Sequence, residues 1–503
     1  MKHPLCLSAY SITVGVNALW VVPIYEKGPG GNGYGNCGLH RIDPELAETN
    51  DQDQARKVLR KFVDDAHASN IRIILDLISW GAMKNSQLVK DKPEWFSGTA
   101  WGNEAFNWKN QEFREWYIQQ AVKLILDSNA DGFRCDCEPH HGGYDTFKEI
   151  RKRLLDKGRK IILIAEDSNH RKDAFDMEQD GVLDYTAYHR GKVYVEPVNF
   201  FADGLIDIVE ACKTGKALGP HEHQRADTHL AGTFRFYPNC ITNHDFQKRN
   251  VCGDRIKINY AAIMAPFIPI WFQGDEFGLD SPRMVIHGQD VDFNLANLPK
   301  NAHFMEDVKK ALQIRRTYPN IFSFFPINHR DTNIEKVNVE GLDGLSAYVR
   351  FAEGKAIFII PNPHQDDYAN LKIQVPTHFQ NATEAIDLIN GRTIKIAGNA
   401  FKTVVPPRHN AIFLLDYRSA SAKLNPPNIE NQNKNNMMYT ETKNGATLKV
   451  TKQGIEITAD NKTLLKSPAE GHWSIATGWQ NEKPVDWHHA SIDSVEKLDD
   501  GFI

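Results

Sequence analysis

Short apolar runs that alternate with amphipathic segments constrain the fold of this chain more than any other feature. Seven runs are rich in Val, Ile, Leu, Phe and Trp; they span residues 16–24, 71–78, 130–137, 160–167, 182–189, 234–241 and 266–273. Runs of this length are typical of parallel strands buried on both faces. Helical periodicity marks the segments 52–69, 113–129 and 144–158 between them. The alternation therefore predicts strand–helix units joined by right-handed crossovers.

Acids at the predicted strand ends recur at a regular spacing. Asp136 and Glu166 are 30 residues apart, Asp76 lies 60 residues before Asp136, and Asp245 lies 79 residues after Glu166. This spacing is typical of an α/β fold of the (β/α)8 TIM-barrel type with one enlarged loop, which we place at residues 80–112. Only 15 residues precede the first run. We therefore expect a barrel that lacks its first βα unit or keeps a remnant strand there.

The pattern changes near residue 340, where helical periodicity ends and short strands separated by turn residues begin. We predict four segments along the chain. The barrel takes residues 1–335, and a C-terminal antiparallel β-sandwich takes residues 336–418. A linker rich in Asn, Pro and Ser follows at 419–439, and residues 440–503 form a partial β-rich segment.

Composition argues against several classes of function. The formal charge is −5, from 59 Lys+Arg against 64 Asp+Glu, so no basic excess is available for nucleic acid. No apolar run approaches the roughly 20 residues of a membrane helix. Seven irregularly spaced cysteines, without CxxC pairs or an HExxH string, predict neither a disulfide framework nor a zinc site. The N-terminus matches a signal peptide poorly, so the sequence does not determine the cellular compartment. It does not determine the oligomeric state either.

Acids that follow parallel strands are expected to meet at one face of a barrel. Crowded carboxylates repel, so one is driven towards its protonated form while another stays ionised, as glycoside cleavage requires. In the run ADGFRCDC, strand alternation places Arg134 and Asp136 on one face and Cys135 and Cys137 on the other. We expect Arg134 to hold Asp136 ionised, and both cysteines to face the helices as core residues.

These strings resemble the motifs of the α-amylase family of glycoside hydrolases, which are retaining enzymes active on α-glucans. DGFRCDCEPH is similar to the family's nucleophile motif, LIAED to the strand of its general acid, and TNHD to a third acidic motif. LWVVPIYE and GYGNCGLHRIDP resemble its substrate-loop region, and the resemblance covers about residues 16–417. It implies that Asp136 is the nucleophile, Glu166 the general acid and base, and Asp245 the stabiliser of the transition state.

The resemblance also implies a set of substrate-binding residues. They are Tyr34, Asp76, Arg134, His140 and His244. One string departs from the family pattern, because DLISWG stands where the family usually has DxVxNH. Trp80 and Gly81 thus replace an Asn that is a common calcium ligand and a His that is a common sugar ligand. We expect no required cofactor, and this departure argues against calcium.

The predicted function is a retaining glycoside hydrolase that cleaves α-glucosidic bonds in starch- or maltodextrin-like glucans through a covalent glycosyl-enzyme on Asp136. Two alternatives stay open: an α-glucan transglycosylase that uses the same residues, and a catalytically inactive amylase-like protein that binds glucan. The aromatics Trp95, Trp101 and Trp108 of the enlarged loop either line a sugar groove or pack the loop itself.

Overall fold

The computed structural model describes much of the chain in separate segments. They are residues 14–28, 33–137, 144–166, 174, 177–183, 238–240, 244, 268–279, 291–299, 301, 304–322, 333–341, 347–362, 364 and 367–418, with the strands of residues 437–502. The chain divides into two units, Met1–Tyr417 and Arg418–Ile503. His140, Asp245, the N-terminal residues 1–13 and the linker residues 419–436 lie outside the described residues. Within the described residues, no helix has the length and apolarity that crossing a membrane requires.

The first part of the larger unit contains strands, α-helices and short 3-10 helices. Its strands are β1 (Ala18–Val21), β2 (Arg72–Ile78), β3 (Gly81–Ala82), β4 (Phe96–Ala100), β5 (Asn103–Phe106), β6 (Gly132–Asp136), β7 (Ile162–Ala165), β8 (Gly181–Val182), β9 (Pro238–Cys240) and β10 (Ile268–Ile270). Its helices are α1 (Pro44–Ala47), α2 (Gln52–Ala68), α3 (Gln87–Asp91), α4 (Gln111–Ser128), α5 (Tyr144–Leu155), α6 (Phe304–Thr317) and α7 (Pro319–Phe322). The 3-10 helices are Pro93–Trp95, Asp275–Phe277 and Phe293–Asn297.

Parallel strands form the centre of this part of the molecule. The sheet order is β1-β2-β6-β7-β8, and β9 pairs in parallel with β10. Six of the seven predicted runs contain one of these strands, and the run at 182–189 shares only Val182 with β8, so the predicted parallel sheet is confirmed. The register pairs Asp76 with Arg134 and Cys135 with Ala165. The carboxyl ends of β2, β6 and β7 therefore lie side by side.

The helices that follow these strands are amphipathic and capped. In α2 the Asp51 side chain accepts hydrogen bonds from the backbone amides of Asp53 and Gln54 at 2.9 and 3.3 Å, which satisfies two free donors of the first turn. Residues four and three apart, such as Leu59, Val63 and Ala66, form the buried face. These helices pack on the sheet through a shared hydrophobic core, which holds the strands and their ends in position.

One glycine sets the distance between the two strands that carry the central acids. A Cβ built on Gly132, at the start of β6, would lie 2.0 Å from the Ile162 carbonyl oxygen of β7. Any side chain at this position would therefore push β7 away from β6. The close approach brings the end of β6, with Asp136, next to Glu166, which directly follows β7.

The enlarged loop at residues 80–112 contains a small sheet of its own. Its antiparallel strands are arranged in the order β3-β5-β4. Gly81 is required here, because a Cβ at this position would lie 2.0 Å from the Glu104 carbonyl oxygen and its φ is +157°. The sheet thus begins three residues after β2 ends.

The second part of the larger unit is all β. Its strands are β11 (Ile334–Val337), β12 (Val339–Glu340), β13 (Ala347–Ala352), β14 (Lys355–Asn362), β15 (Ala369–Gln374), β16 (Glu384–Asp387), β17 (Thr393–Lys395), β18 (Ala400–Val405) and β19 (His409–Asp416), with a 3-10 helix at Thr377–Phe379. They form a sheet of order β11-β13-β14-β19-β16-β17 and a sheet of order β12-β15-β18.

Side chains of both sheets meet in one hydrophobic cluster. Phe358 and Phe413 come from the larger sheet, and Leu371 and Phe401 come from the smaller one. Alternate residues of β14 point into this cluster, and the residues between them, Ile357 and Ile359, are buried in a second cluster on the other face of the sheet.

The smaller unit, from Arg418 onwards, also consists of strands. They are β20 (Met437–Lys443), β21 (Ala446–Thr451), β22 (Gly454–Ala459), β23 (Lys462–Lys466), β24 (Ser474–Gln480), β25 (Lys483–His489), β26 (Lys497–Leu498) and β27 (Gly501–Phe502). Strands β20 to β23 form an antiparallel sheet in sequence order, and the remaining strands pair as two hairpins.

Candidate active site

The predicted pairing of Arg134 with Asp136 is present on β6. Residues two apart on a strand share a face, and an Arg134 Nη1 hydrogen bond of 2.6 Å reaches Asp136 Oδ1. Phe133 and Cys135 point the other way, into the core beneath the helices. Arg134 is 1% exposed and Asp136 is 5% exposed, so this ion pair lies in a largely dry environment.

Asp76, on β2, is the second carboxylate bound to the same guanidinium. Arg134 Nη1 donates to Asp76 Oδ1 at 3.0 Å. The indole N–H of Trp20 and the phenol of Tyr34 both donate to Asp76 Oδ2, at 3.0 and 2.8 Å. The guanidinium also lies over the Trp20 ring, 4.6 Å from its centroid, an arrangement that stabilises a buried cation.

Glu166 follows β7 and completes the cluster. Its Oε1 forms an ion pair with Arg134 Nη2, and its Oε2 accepts a 2.8 Å hydrogen bond from the Cys137 backbone amide. The side chain of Glu166 is 24% exposed, more than either aspartate. Carboxylate oxygens of Asp136 and Glu166 lie within 4.8 Å of each other. Two of the three predicted catalytic acids therefore meet in the structure.

One cation thus serves three carboxylates. Burial, opposed by Arg134, raises the pKa of Asp136 well above its usual range, and the nearby Glu166 and Asp76 charges add to the rise. Burial also raises the pKa of Asp76, against the effects of Arg134 and Tyr34. Arg134 itself lowers the pKa of Asp136, the direction that the sequence analysis expected, but this one guanidinium is shared among three carboxylates and burial acts against it.

Two aromatic rings cover one side of the carboxylates. The rings of Tyr34 and His244 are stacked, with centroids 4.8 Å apart and planes 18° apart. The edge of His244 also meets Trp20 at 5.8 Å. His244, which belongs to the TNHD string, is buried beside the cluster. Its neighbour Asp245, together with His140, lies outside the described residues.

Comparison with known proteins finds relatives that are named as amylases, glucosidases and a trehalohydrolase. The chain is 22% identical to a maltogenic α-amylase of Bacillus acidopullulyticus over 438 residues, which are 78% of this chain and 68% of that protein. It is 25% identical over 196 residues to an oligo-1,6-glucosidase of Heyndrickxia coagulans, and 23% identical over 304 residues to a malto-oligosyltrehalose trehalohydrolase of Deinococcus radiodurans. These homologues are members of the α-amylase family of glycoside hydrolases.

Solved structures of α-amylases have the same fold. The α-amylase of Geobacillus thermoleovorans, complexed with acarbose, superposes with a TM-score of 0.61 at 19% identity, over 82% of this chain and 91% of that one. A maltogenic α-amylase of Thermotoga neapolitana gives 0.57 at 20% identity, over 82% and 94%. No protein-family model matches the chain.

Coverage of the curated relatives is uneven. The chain spans about a third of the oligo-1,6-glucosidase, 33%, and about half of the trehalohydrolase, 49%. The match to the oligo-1,6-glucosidase covers 30% of this chain. The chain therefore spans less than two thirds of the length of these two relatives.

The sequence analysis missed Trp20 as a member of the site. Its indole binds Asp76 and its ring lies under the guanidinium of Arg134. The run at 16–24 contains Trp20 near the end of β1, so its place in a strand neighbouring β2 was the available signal. In α-amylase-type barrels the strand ends face the active site, and a tryptophan at such an end is a candidate whatever its polarity.

The predicted orientation of Cys137 is wrong. Its thiol lies within 4.8 Å of carboxylate oxygens of both Asp136 and Glu166, although its side chain also packs against the core. Strand alternation does not extend to this residue, because β6 ends at Asp136 and Cys137 has a left-handed backbone with φ of 55°. Cys135, still within the strand, faces the core as predicted.

Most aromatics of the enlarged loop are core residues. Trp80 and Trp95 are buried, and Trp108 packs against the same core, where its indole N–H donates to the Ser79 carbonyl oxygen at 3.3 Å. Trp101 differs from them, since it is 69% exposed and touches Trp80 edge-on at 5.6 Å. Of the three aromatics proposed to line a sugar groove, Trp101 is the one with an open face.

Three side chains of the site carry atoms that can ligate a metal ion. In the described part of the chain, Asp136, Cys137 and Glu166 bring three potential ligand atoms within 4.8 Å of one another. Both carboxylates are already ion-paired with Arg134, and this cation repels a second one. Trp80 and Gly81 bring no carboxylate or amide side chain to the position where the family usually has a calcium ligand.

Proposed function

We propose that this chain is a retaining glycoside hydrolase that cleaves α-glucosidic bonds in starch- or maltodextrin-like glucans. The observation that carries the proposal is the pair formed by Asp136 and Glu166, whose carboxylate oxygens approach within 4.8 Å at adjacent strand ends. Carboxyl groups of retaining glycosidases are about 5–5.5 Å apart, whereas inverting enzymes need about 6.5–9.5 Å to admit water between them. The close spacing supports attack by a protein carboxylate.

The proposed reaction has two steps. In the first, an Asp136 carboxylate oxygen attacks the anomeric carbon, the glycosidic C–O bond breaks, and Glu166 gives its proton to the departing sugar oxygen. In the second, the ionised Glu166 takes a proton from water, whose oxygen attacks the anomeric carbon and releases Asp136. Asp245 is assigned to stabilise the positive charge of the transition state. Its neighbour His244 supports this, because the His244 ring packs against the site.

The surroundings of the pair suit a sugar. The stacked rings of Tyr34 and His244 provide an aromatic surface beside the carboxylates. Trp101 provides a second aromatic surface, which is connected to the site only through other residues. Its ring touches Trp80. Ser79, which precedes Trp80 in the sequence, donates a hydrogen bond from its hydroxyl to the Asp136 carbonyl oxygen. We assign the cleavage subsite to Tyr34 and His244 and a remote glucan contact to Trp101.

The architecture we infer is a closed (β/α)8 barrel followed by a β-sandwich. The parallel order of the central strands and the likeness to α-amylase structures support the barrel. The hydrophobic cluster shared by the two C-terminal sheets supports the sandwich.

The test is incubation of the purified chain with maltoheptaose and, separately, with pullulan, followed by oligosaccharide profiling and by NMR of the anomer first released. We expect shorter oligosaccharides released as the α-anomer, with a rate that survives chelation of divalent metals by EDTA. Release of the β-anomer would contradict the retaining assignment. Longer or branched products would select the transglycosylase, and calorimetric binding without product would select the inactive glucan-binding protein.

The acidic limb of the pH dependence of kcat/KM is expected to lie above the ordinary aspartate range of about pH 4. Asp136 attacks only when ionised, and burial with the Glu166 and Asp76 charges raises its pKa. Activity is therefore present above this raised pKa and is lost as pH falls through it. Asp76→Asn removes one of these neighbouring charges. We therefore expect the acidic limb of kcat/KM to lie at lower pH in this variant than in the wild type.

The measurement is kcat/KM on maltoheptaose across the acidic and neutral range. The control is Asp53→Asn, since the side chain of Asp53 is 87% exposed at the start of α2 and its variant should keep the wild-type limb. A limb that stays in place, or moves upward, in Asp76→Asn would contradict the assignment of this limb to Asp136.

A further inference from the structure

The residue after the proposed nucleophile has an unusual backbone conformation. Strand β6 ends at Asp136, and Cys137 has φ of 55°, in the left-handed region. For a residue with a Cβ this conformation costs about 1–2 kcal/mol relative to the right-handed region. Such residues often occur at functional sites, where the surrounding structure maintains them.

The backbone amide of Cys137 binds a side chain of the neighbouring strand end. Its N–H donates to Glu166 Oε2 at 2.8 Å, while Arg134 Nη2 binds Oε1 of the same carboxylate. The backbone of Glu166 is itself fixed, because its N–H donates to the Cys135 carbonyl oxygen at 3.2 Å. The carboxylate is therefore held through both oxygens, by one side chain and one amide.

The left-handed conformation of Cys137 occurs together with the hydrogen bond from its amide to Glu166. The angle φ describes rotation about the N–Cα bond, so it sets where the Cβ and the outgoing chain lie relative to the N–H. If Cys137 adopted a negative φ, either the outgoing chain or the peptide plane between residues 136 and 137 would have to rotate. Both movements take place beside the hydrogen bond to Glu166.

We propose that Cys137 is a positioning residue whose left-handed backbone amide aims the Glu166 carboxylate at the glycosidic oxygen. This inference rests on the proposed hydrolase function and deepens it. The role belongs to the backbone and not to the thiol. Accordingly, residues that tolerate positive φ preserve the role at this position, and β-branched residues, which tolerate it poorly, disrupt it.

The test compares substitutions with opposite backbone preferences. Cys137→Gly and Cys137→Ala remove the thiol and allow the conformation to persist, whereas Cys137→Val and Cys137→Thr are β-branched. Cys135→Val is the matched control, because it makes the same exchange at an extended, buried position of β6. Each variant is assayed on maltoheptaose and on α-maltosyl fluoride, whose fluoride leaves without needing a proton.

We expect Cys137→Val and Cys137→Thr to lose about 10²-fold in kcat on maltoheptaose, because a misplaced acid forfeits much of its contribution. Their KM should change little, and their rate on α-maltosyl fluoride should stay near that of the wild type. Cys137→Gly, Cys137→Ala and Cys135→Val should keep both activities.

Three outcomes would overturn the proposal. Wild-type rates in both β-branched variants would show that the conformation is dispensable. An equal loss in Cys137→Gly would assign the role to the thiol, and an equal loss on α-maltosyl fluoride would indicate general damage to the site. A wild-type chain inert towards both substrates would instead refute the hydrolase function itself, together with the inference that rests on it.

Discussion

Asp136→Asn is expected to lower kcat on maltooligosaccharides by roughly 10⁴-fold or more. The amide cannot displace the leaving sugar, and no other carboxylate among the described residues has both the burial of Asp136 and its place beside Glu166. The measurement is product release from maltoheptaose. Asp145→Asn, on the exposed face of α5, is the control and should keep the wild-type rate.

The same variant separates loss of chemistry from loss of structure. Since the pKa of Asp136 is raised in the folded state, the stability of the wild type is fully present below the unfolded-state pKa of about 4 and is lost as pH rises from there through the raised pKa. Asp136→Asn removes this dependence. We therefore expect a higher Tm than the wild type at neutral pH, with a gain that shrinks in acid. A variant that keeps turnover, or that loses it by unfolding, would contradict this account.

Arg134→Met is expected to lower the free energy of unfolding by about 3–5 kcal/mol at neutral pH. Arg134 is the shared partner of Asp76, Asp136 and Glu166. Methionine keeps much of the volume and leaves three carboxylates near one another without a cation. They would take up protons in acid, so the destabilisation should diminish as pH falls. Denaturant unfolding at two pH values measures both effects.

The matched control is Arg153→Met on α5. Arg153 also binds two carboxylates, those of Glu115 and Glu149, at 2.7 and 2.8 Å, but it is 31% exposed. Ion pairs at the surface contribute about 0–1 kcal/mol. Equal destabilisation by the two substitutions would show that burial of the Arg134 cluster does not set its energetic importance.

The sequence predicts well those strands and helices whose apolar side chains recur with a clear period. Apolar runs located the central strands, and the helical pattern at residues 52–69 closely matches α2. Alternation along β6 placed Arg134 beside Asp136. These predictions depend on one strand or helix at a time, and local spacing is enough to make them.

The features that escaped prediction depend on the meeting of separate segments or on a single backbone angle. The sharing of Arg134 among three acids requires β2, β6 and β7 to be neighbours, and the raised pKa of Asp136 follows from that sharing and from burial. The thiol of Cys137 turned towards the acids because one φ angle left the extended region. Trp80 was open to two interpretations, since burial of an indole is decided by packing around the loop.

The cluster of ion pairs joins four consecutive strands of the sheet: β1 through Trp20, β2 through Asp76, β6 through Arg134 and Asp136, and β7 through the adjoining Glu166. A slip of one residue in any of these strands would turn its side chain to the opposite face. The complete cluster around the proposed catalytic groups can therefore assemble only after every one of these pairings has formed in its native alignment. During refolding, recovery of turnover should accordingly follow the last of these alignments and not the earlier gain of secondary structure.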